Sequence, residues 1–263
     1  MANDRPTIIN TAKQTLKDGG PVVVFSVFAY TRPLIIKIAQ QTGYDMLLID
    51  AEHVLHNEEH LTDFIVSARD NGLSPLVTVQ TSERHFVSRI LDAGALGVSL
   101  SHAETTEQVD EMVRWMKYPP VGERALGSGP SSDYWLTDAP RYLEEANAAT
   151  MLALKIESRK GLENAEAMMS NEWVDVIVFG PGDLAIDMGF HGDMEHPEVV
   201  AAMERVIDLA ISHGKAVEPA IGTADRATYQ RQRERGIQIF GLTRHHEYAL
   251  LREAAENAME PFR

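Results

Sequence analysis

The chain contains no cysteine. Disulfides, thiolate zinc sites and cysteine nucleophiles are therefore excluded. It also lacks any apolar stretch approaching the roughly 20 residues that span a bilayer. The first ten residues carry no apolar run behind a basic start, so no secretory signal is read there. Basic residues are outnumbered: 24 Lys and Arg face 39 Asp and Glu, for a formal net charge of −15. A surface of that sign repels nucleic acid unless cations cluster locally. The one dense run, 231–235, reads as the solvated face of a helix. The expectation is a soluble, cytoplasmic protein with neither nucleic acid nor membrane as a partner.

No Gly/Ser/Pro-rich linker or charge block divides the 263 residues, which predicts a single domain over 1–263. Short Val/Ile/Leu-rich runs recur at 21–28, 45–50, 74–80, 97–100, 150–157, 174–180, 215–221 and 237–243. They are continuous rather than alternating, as parallel strands buried on both faces are. Helical stretches lie between them, closed by Gly43, Gly72, Gly94, Gly214 and Gly236, glycine being the residue that accepts the left-handed helix stop. About eight strand–helix units in this length predict an α/β fold, a closed (β/α)8 barrel. A doubly wound open sheet is the competing architecture, but no Gly-rich dinucleotide turn follows the first strand. The loop 119–140 breaks the rhythm, as a lid or a subunit contact would. The last helix, 244–258, either seals the barrel or docks on a neighbour.

Barrel chemistry stands at the C-terminal ends of strands. Those ends offer Asp50, Glu52 and His53, then Lys155 and Glu157, then Gly182 and Asp183, and Glu218 on strand seven. Glu157 and Asp183 close neighbouring strands and suit a hard cation, Mg2+ or Mn2+. Equally, each acid could cap the helix that follows it. His53, His56 and His60 have the spacing of a zinc face, but a helix start at Asn57 leaves the last two as surface residues. His245-His246, His102, His191, His196 and His213 have no partner in sequence and receive no role.

The run Gly43-Tyr-Asp-Met-Leu-Leu-Ile-Asp50-Ala-Glu52-His53 resembles a segment of the metal-dependent pyruvate aldolases, the HpcH/HpaI aldolase family. The resemblance continues through 91–98 and 118–127, then Ile156-Glu157, Gly161-Leu-Glu-Asn164, Val174-Asp175 and Gly180-Pro-Gly-Asp183-Leu184. It implies a barrel of the phosphoenolpyruvate/pyruvate-domain type and a carbon–carbon lyase acting on a 2-oxo acid through a metal-stabilised enolate. Glu157 and Asp183 match the metal ligands, for Mg2+ or Mn2+ with Co2+ possible. His53 and Asp50 match a His–Asp pair that transfers protons through a bound water, and Gly182 matches the seat of the substrate carboxylate. Glu83 falls where the family has an aspartate that reaches a neighbouring subunit. The resemblance also implies a homo-oligomer, a hexamer exchanging its last helix.

Three positions depart from that pattern. Thr78 replaces an arginine, and a hydroxyl lacks the charge and donor fork of a guanidinium. Lys155 stands where glutamine is usual, and Thr243 is followed by Arg244 where an acid is usual. Lys155 shares a strand face with Glu157. It either brings a cation into a site that lost one, or neutralises Glu52 or Glu218 as a core ion pair. The departures keep open a decarboxylase or hydrolase of a 2-oxo-diacid, and a barrel that binds ligand without catalysis.

Overall fold

The computed structural model describes residues 8–134, 136–220, 222–223, 225–242 and 245–262. It opens with α1 (Thr11–Lys17), β1 (Val22–Val27), α2 (Pro33–Thr42), β2 (Met46–Asp50), α3 (Glu58–Asp70), β3 (Ser74–Val79), α4 (Arg84–Asp92), β4 (Gly97–Leu100) and α5 (Thr106–Met116). After the long loop come α6 (Ala139–Ala149), β5 (Met151–Ile156), α7 (Arg159–Met169), β6 (Val174–Phe179) and α8 (Pro181–Asp187). The chain ends with α9 (Pro197–Ser212), β7 (Ala216–Glu218), α10 (Arg226–Arg235), β8 (Ile239–Phe240) and α11 (Glu247–Met259). All ladders are parallel and run in the order β7-β6-β5-β4-β3-β2-β1-β8. This is the eight-stranded barrel the strand–helix alternation predicts, nearly closed, with no ladder between β7 and β8 among the described residues. Helices α2 and α10 stop at Gly43 (φ +86°) and Gly236 (φ +102°), as the sequence predicts.

Some boundaries differ from the sequence expectation. Helices α1 and α6 have no counterpart in it, α6 follows directly on the irregular stretch, and α8 begins at Pro181, ahead of the Asp183 at which the helix is expected to start. The seventh and eighth strands are shorter than their apolar runs, because only three and two of their residues pair. The Thr243-Arg244 departure lies outside the described residues.

Two apolar layers result from the pleat, which sends successive side chains to opposite faces. Val22, Val24, Met46, Leu48, Leu76, Ala153, Val178 and Ile239 fill the barrel, and Ala12 of α1 joins them from below. The alternate residues, such as Leu47, Ile49, Val77 and Leu154, pack beneath the helices. Followed upward, the inward positions turn polar: Ser26, Asp50, Thr78, Ser99 and Glu218 are all buried near the C-terminal ends. That change of chemistry along one face marks where the barrel stops being core.

The opposite end is tied by charge. Lys13 pairs with Asp175 at 2.9 Å and donates to Thr150 O. Lys117 is fully buried and donates to Asn147 O, Thr150 O and Thr150 Oγ1 at 2.8, 2.8 and 2.9 Å. Burial, helped by the charge of Lys13, pushes the Lys117 ammonium down to about 7. Between about pH 7 and pH 10 the unfolded chain therefore holds a proton that the native chain has released, and the stability owed to this residue rises with pH across that window. Urea unfolding at both ends of the window should show wild type gaining on Lys117→Met as pH rises. A constant difference between the two curves would count against a depressed ammonium.

One contact fixes the last helix. Glu247, its first residue, accepts the backbone N–H groups of Phe28, Ala29 and Tyr30 at 2.8, 2.7 and 3.3 Å. Beyond it α11 is largely exposed, with Leu251 at 73%.

Candidate active site

Glu157 follows β5 directly and is completely buried. Its Oε1 accepts the His102 backbone N–H at 2.7 Å. Its Oε2 lies 2.8 Å from Lys155 Nζ, close enough for an ion pair but without hydrogen-bond alignment. Lys155 also lies 3.5 Å from Glu52 Oε2, a second buried carboxylate oxygen with no hydrogen bond. So Lys155 pairs with Glu52, as one sequence reading held, and adds Glu157. It also lines the cleft, as the other reading held.

Backbone fit explains why Glu157 can sit there. A Cβ on Gly180 would fall 2.6 Å from Glu157 Oε2 and 2.7 Å from its Cβ. Only glycine at the end of β6 leaves room for the carboxylate. Burial pushes the Glu157 carboxyl up, with the Lys155 charge and the His102 N–H working against it. Burial disfavours the Lys155 charge, but Glu157, Glu52 and Asp183 outweigh that and hold the ammonium above its usual value. The balance follows from opposite charges at short range in a partly desolvated mouth.

Asp183 is not at a strand end. It occupies the first turn of α8, whose N-cap is Gly180 with no side-chain cap bond. It makes no N-cap bond, but an acid in the first turn favours the helix N-terminus, as the alternative sequence reading holds. Asp183 and Gly182 line a cleft of about 650 Å³ with Lys155, Ala220, His245 and His246. The cleft's far side is α11, through Ala249, Leu250 and Glu253.

Asp50 ends β2 and its Oδ1 accepts the backbone N–H groups of Glu52 and His53 at 3.1 and 2.7 Å. The pairing of Asp50 with His53 is thus through the backbone of His53, fixing the turn. The His53 ring is more than half exposed and lies 3.6 Å from Glu52 Oε2. His56 turns its ring to Asp50 O at 2.6 Å, and His60 lies in the first turn of α3 with its backbone N–H on Asn57 Oδ1. Among the described residues these three histidines form no common cluster. Thr78 points inward beside Asp50 and is buried. Glu83 is outside the cleft as N-cap of α4, largely exposed and 3.3 Å from His85.

Sequence reasoning missed His102 and undervalued Glu52. Glu52, His102 and Glu157 offer ligand atoms within 4.8 Å of one another, as do Asp50, Glu52 and His53; Asp183 belongs to neither group. The signal for His102 was its place two residues beyond β4, but the turn that aims its N–H at Glu157 has a positive φ of 45°, which the sequence does not announce. The buried oxygens of Glu157 and Glu52, faced by the Lys155 ammonium and without an aligned hydrogen bond, are hard donors, and the site fits a divalent cation on that chemistry.

A model of the HpcH/HpaI aldolase/citrate lyase family matches residues 23–245. A hydroxypyruvate/pyruvate aldolase of Roseobacter denitrificans is 29% identical over 235 residues, 89% of this chain and 90% of that one. The 2-keto-3-deoxy-L-rhamnonate aldolase of Klebsiella pneumoniae is 31% identical over 196 residues, 73% of each chain. The crystal structure of an HpcH/HpaI aldolase from Desulfitobacterium hafniense superposes with a TM-score of 0.86 at 29% identity, covering 95% of both chains. These relatives are carbon–carbon lyases, and they favour that class over the hydrolase, decarboxylase and non-catalytic readings. The chain is an enzyme and belongs to the HpcH/HpaI aldolase/citrate lyase family.

Proposed function

We propose that this enzyme is a divalent-metal-dependent aldolase that makes or breaks a carbon–carbon bond next to the oxo group of a small 2-oxo acid. The observation that carries the reading is the fully buried Glu157, whose second oxygen lacks a hydrogen bond at the barrel mouth. Glu157 and Asp183 would hold the ion, Mg2+ or Mn2+, with Co2+ also suited to such donors. When bound, the ion supplies Lewis-acid polarisation of the oxo acid.

The protein's own groups do the rest. Gly182, with the open start of α8, seats the substrate carboxylate. His53, on a turn pinned by Asp50, is exposed enough to exchange a proton with substrate or water. Thr78 contributes a small buried hydroxyl beside Asp50. Glu83, exposed at the start of α4, would reach the site of a neighbouring subunit. The exposed apolar residues of the last helix, Leu251 and Met259 among them, support a homo-oligomer, and we propose a hexamer in which that helix is exchanged.

The test is exchange of pyruvate methyl protons with deuterium, followed by NMR. Exchange should vanish after exhaustive chelation and return with Mn2+ or Mg2+; exchange that survives chelation would rule the reading out. In the same assay Thr78→Arg should raise metal-dependent exchange by about 100-fold, the lower end of what one donor to a developing oxyanion contributes. A rate equal to wild type would mean that the arginine's place is already filled.

A further inference from the structure

We propose that Lys155 is the resident cation of the carboxylate site, and that a divalent ion enters only by displacing its ammonium from Glu157 and Glu52. The inference rests on the metal reading above and adds how the site is kept before metal arrives.

The geometry leaves little choice of position. Glu157 Oε1 is committed to the His102 N–H at 2.7 Å. That leaves Oε2 as the oxygen open to a cation, and Lys155 Nζ stands 2.8 Å from it. The same ammonium reaches Glu52 Oε2 at 3.5 Å. Both oxygens are buried and have no hydrogen bond, so the ammonium is the charge that makes their burial tolerable. An ammonium and a divalent ion on the one Glu157 oxygen would repel strongly at such a separation. One must leave. The lysine can, because its stem is flexible and it borders the open cleft with Gly180, Gly182 and Asp183. Released there, the ammonium meets the region where the oxo acid binds. Metal entry thus arms the site with a mobile cation in a barrel whose third strand carries Thr78.

The test is Mn2+ binding without substrate, by calorimetry and by the EPR signal of free Mn2+, on wild type, Lys155→Gln, Lys155→Met and Lys155→Arg. Removing the ammonium should tighten Mn2+ about tenfold or more in the Gln and Met variants, while Arg, which keeps the charge, should not tighten it. Thermal unfolding supplies a second readout. The metal-free Gln and Met variants should melt below wild type, and Mn2+ should raise their Tm by more than it raises that of wild type. Equal or weaker Mn2+ affinity in folded Gln and Met variants overturns the proposal alone. If no variant, wild type included, binds Mn2+ at millimolar concentration, the metal reading falls and the proposal with it.

Discussion

Glu157→Ala is expected to remove measurable turnover and tight Mn2+ binding while the barrel stays folded. The activity loss should reach about a thousandfold or more, since a charge aimed at the reacting centre in a water-poor site is among the largest single contributions an enzyme makes. The fold should survive because Glu157 lies just past β5 and carries no ladder pairing of its own. Its deletion leaves two groups short of a partner, the His102 N–H and part of the Lys155 charge, and Lys155 retains Glu52. Circular dichroism with Mn2+ titration separates the two effects. A folded Glu157→Ala protein that binds Mn2+ like wild type would remove Glu157 from the site.

The second large effect comes from a residue with no functional group. Gly180→Ala would put a methyl 2.6 Å from Glu157 Oε2 and 2.7 Å from Glu157 Cβ. The second distance cannot be relieved by rotating the carboxylate, because Cβ moves only with the backbone. The overlap should cost about 1–3 kcal/mol of stability. Activity should fall by about 100-fold, because displacements on the scale of an ångström are enough to spoil a catalytic geometry. Gly182→Ala is the control. A Cβ there approaches nothing closer than Met194 Sδ at 4.0 Å, so stability should hold while substrate KM rises. Urea unfolding together with kcat and KM on both variants checks this. A Gly180→Ala enzyme of normal activity would mean that Glu157 is free to move.

Much of the architecture was legible because it is written in short-range patterns. Buried strands declare themselves by continuous apolar runs, and helix ends by Gly43 and Gly236. The acids Asp50 and Glu157 were found by the rule that strand ends bear the chemistry, and both do stand where a strand stops. What stayed hidden depends on approach in space. The Lys155–Glu157 contact needed the side-chain direction, not only the shared face. His102 reaches Glu157 across 55 residues through a backbone N–H, a donor that every residue but proline owns and that no composition reveals. Asp183 was read as a strand end because Pro181 and Gly182 look like a loop, whereas Pro181 begins α8, proline being well suited to a first helical position. Residues 141–149 carry no reading in the sequence because Pro140, which closes the loop at 119–140, sits in the first turn of α6.

The last helix gives the cleft a different kind of boundary from the strand ends opposite it. Its first residue is clamped, with one Glu247 oxygen gathering three consecutive amides from the β1 loop. A turn or two further on, Ala249, Leu250 and Glu253 form the wall. The strand-borne acids and this wall therefore belong to separate parts of the chain and can be rewritten independently. Side chains on one helical face bound the cleft, and the barrel rim carries the buried acids. With Glu247 as the fixed point, exchanging side chains at 249, 250 and 253 would change the shape of the cleft without touching the buried acids Glu52 and Glu157.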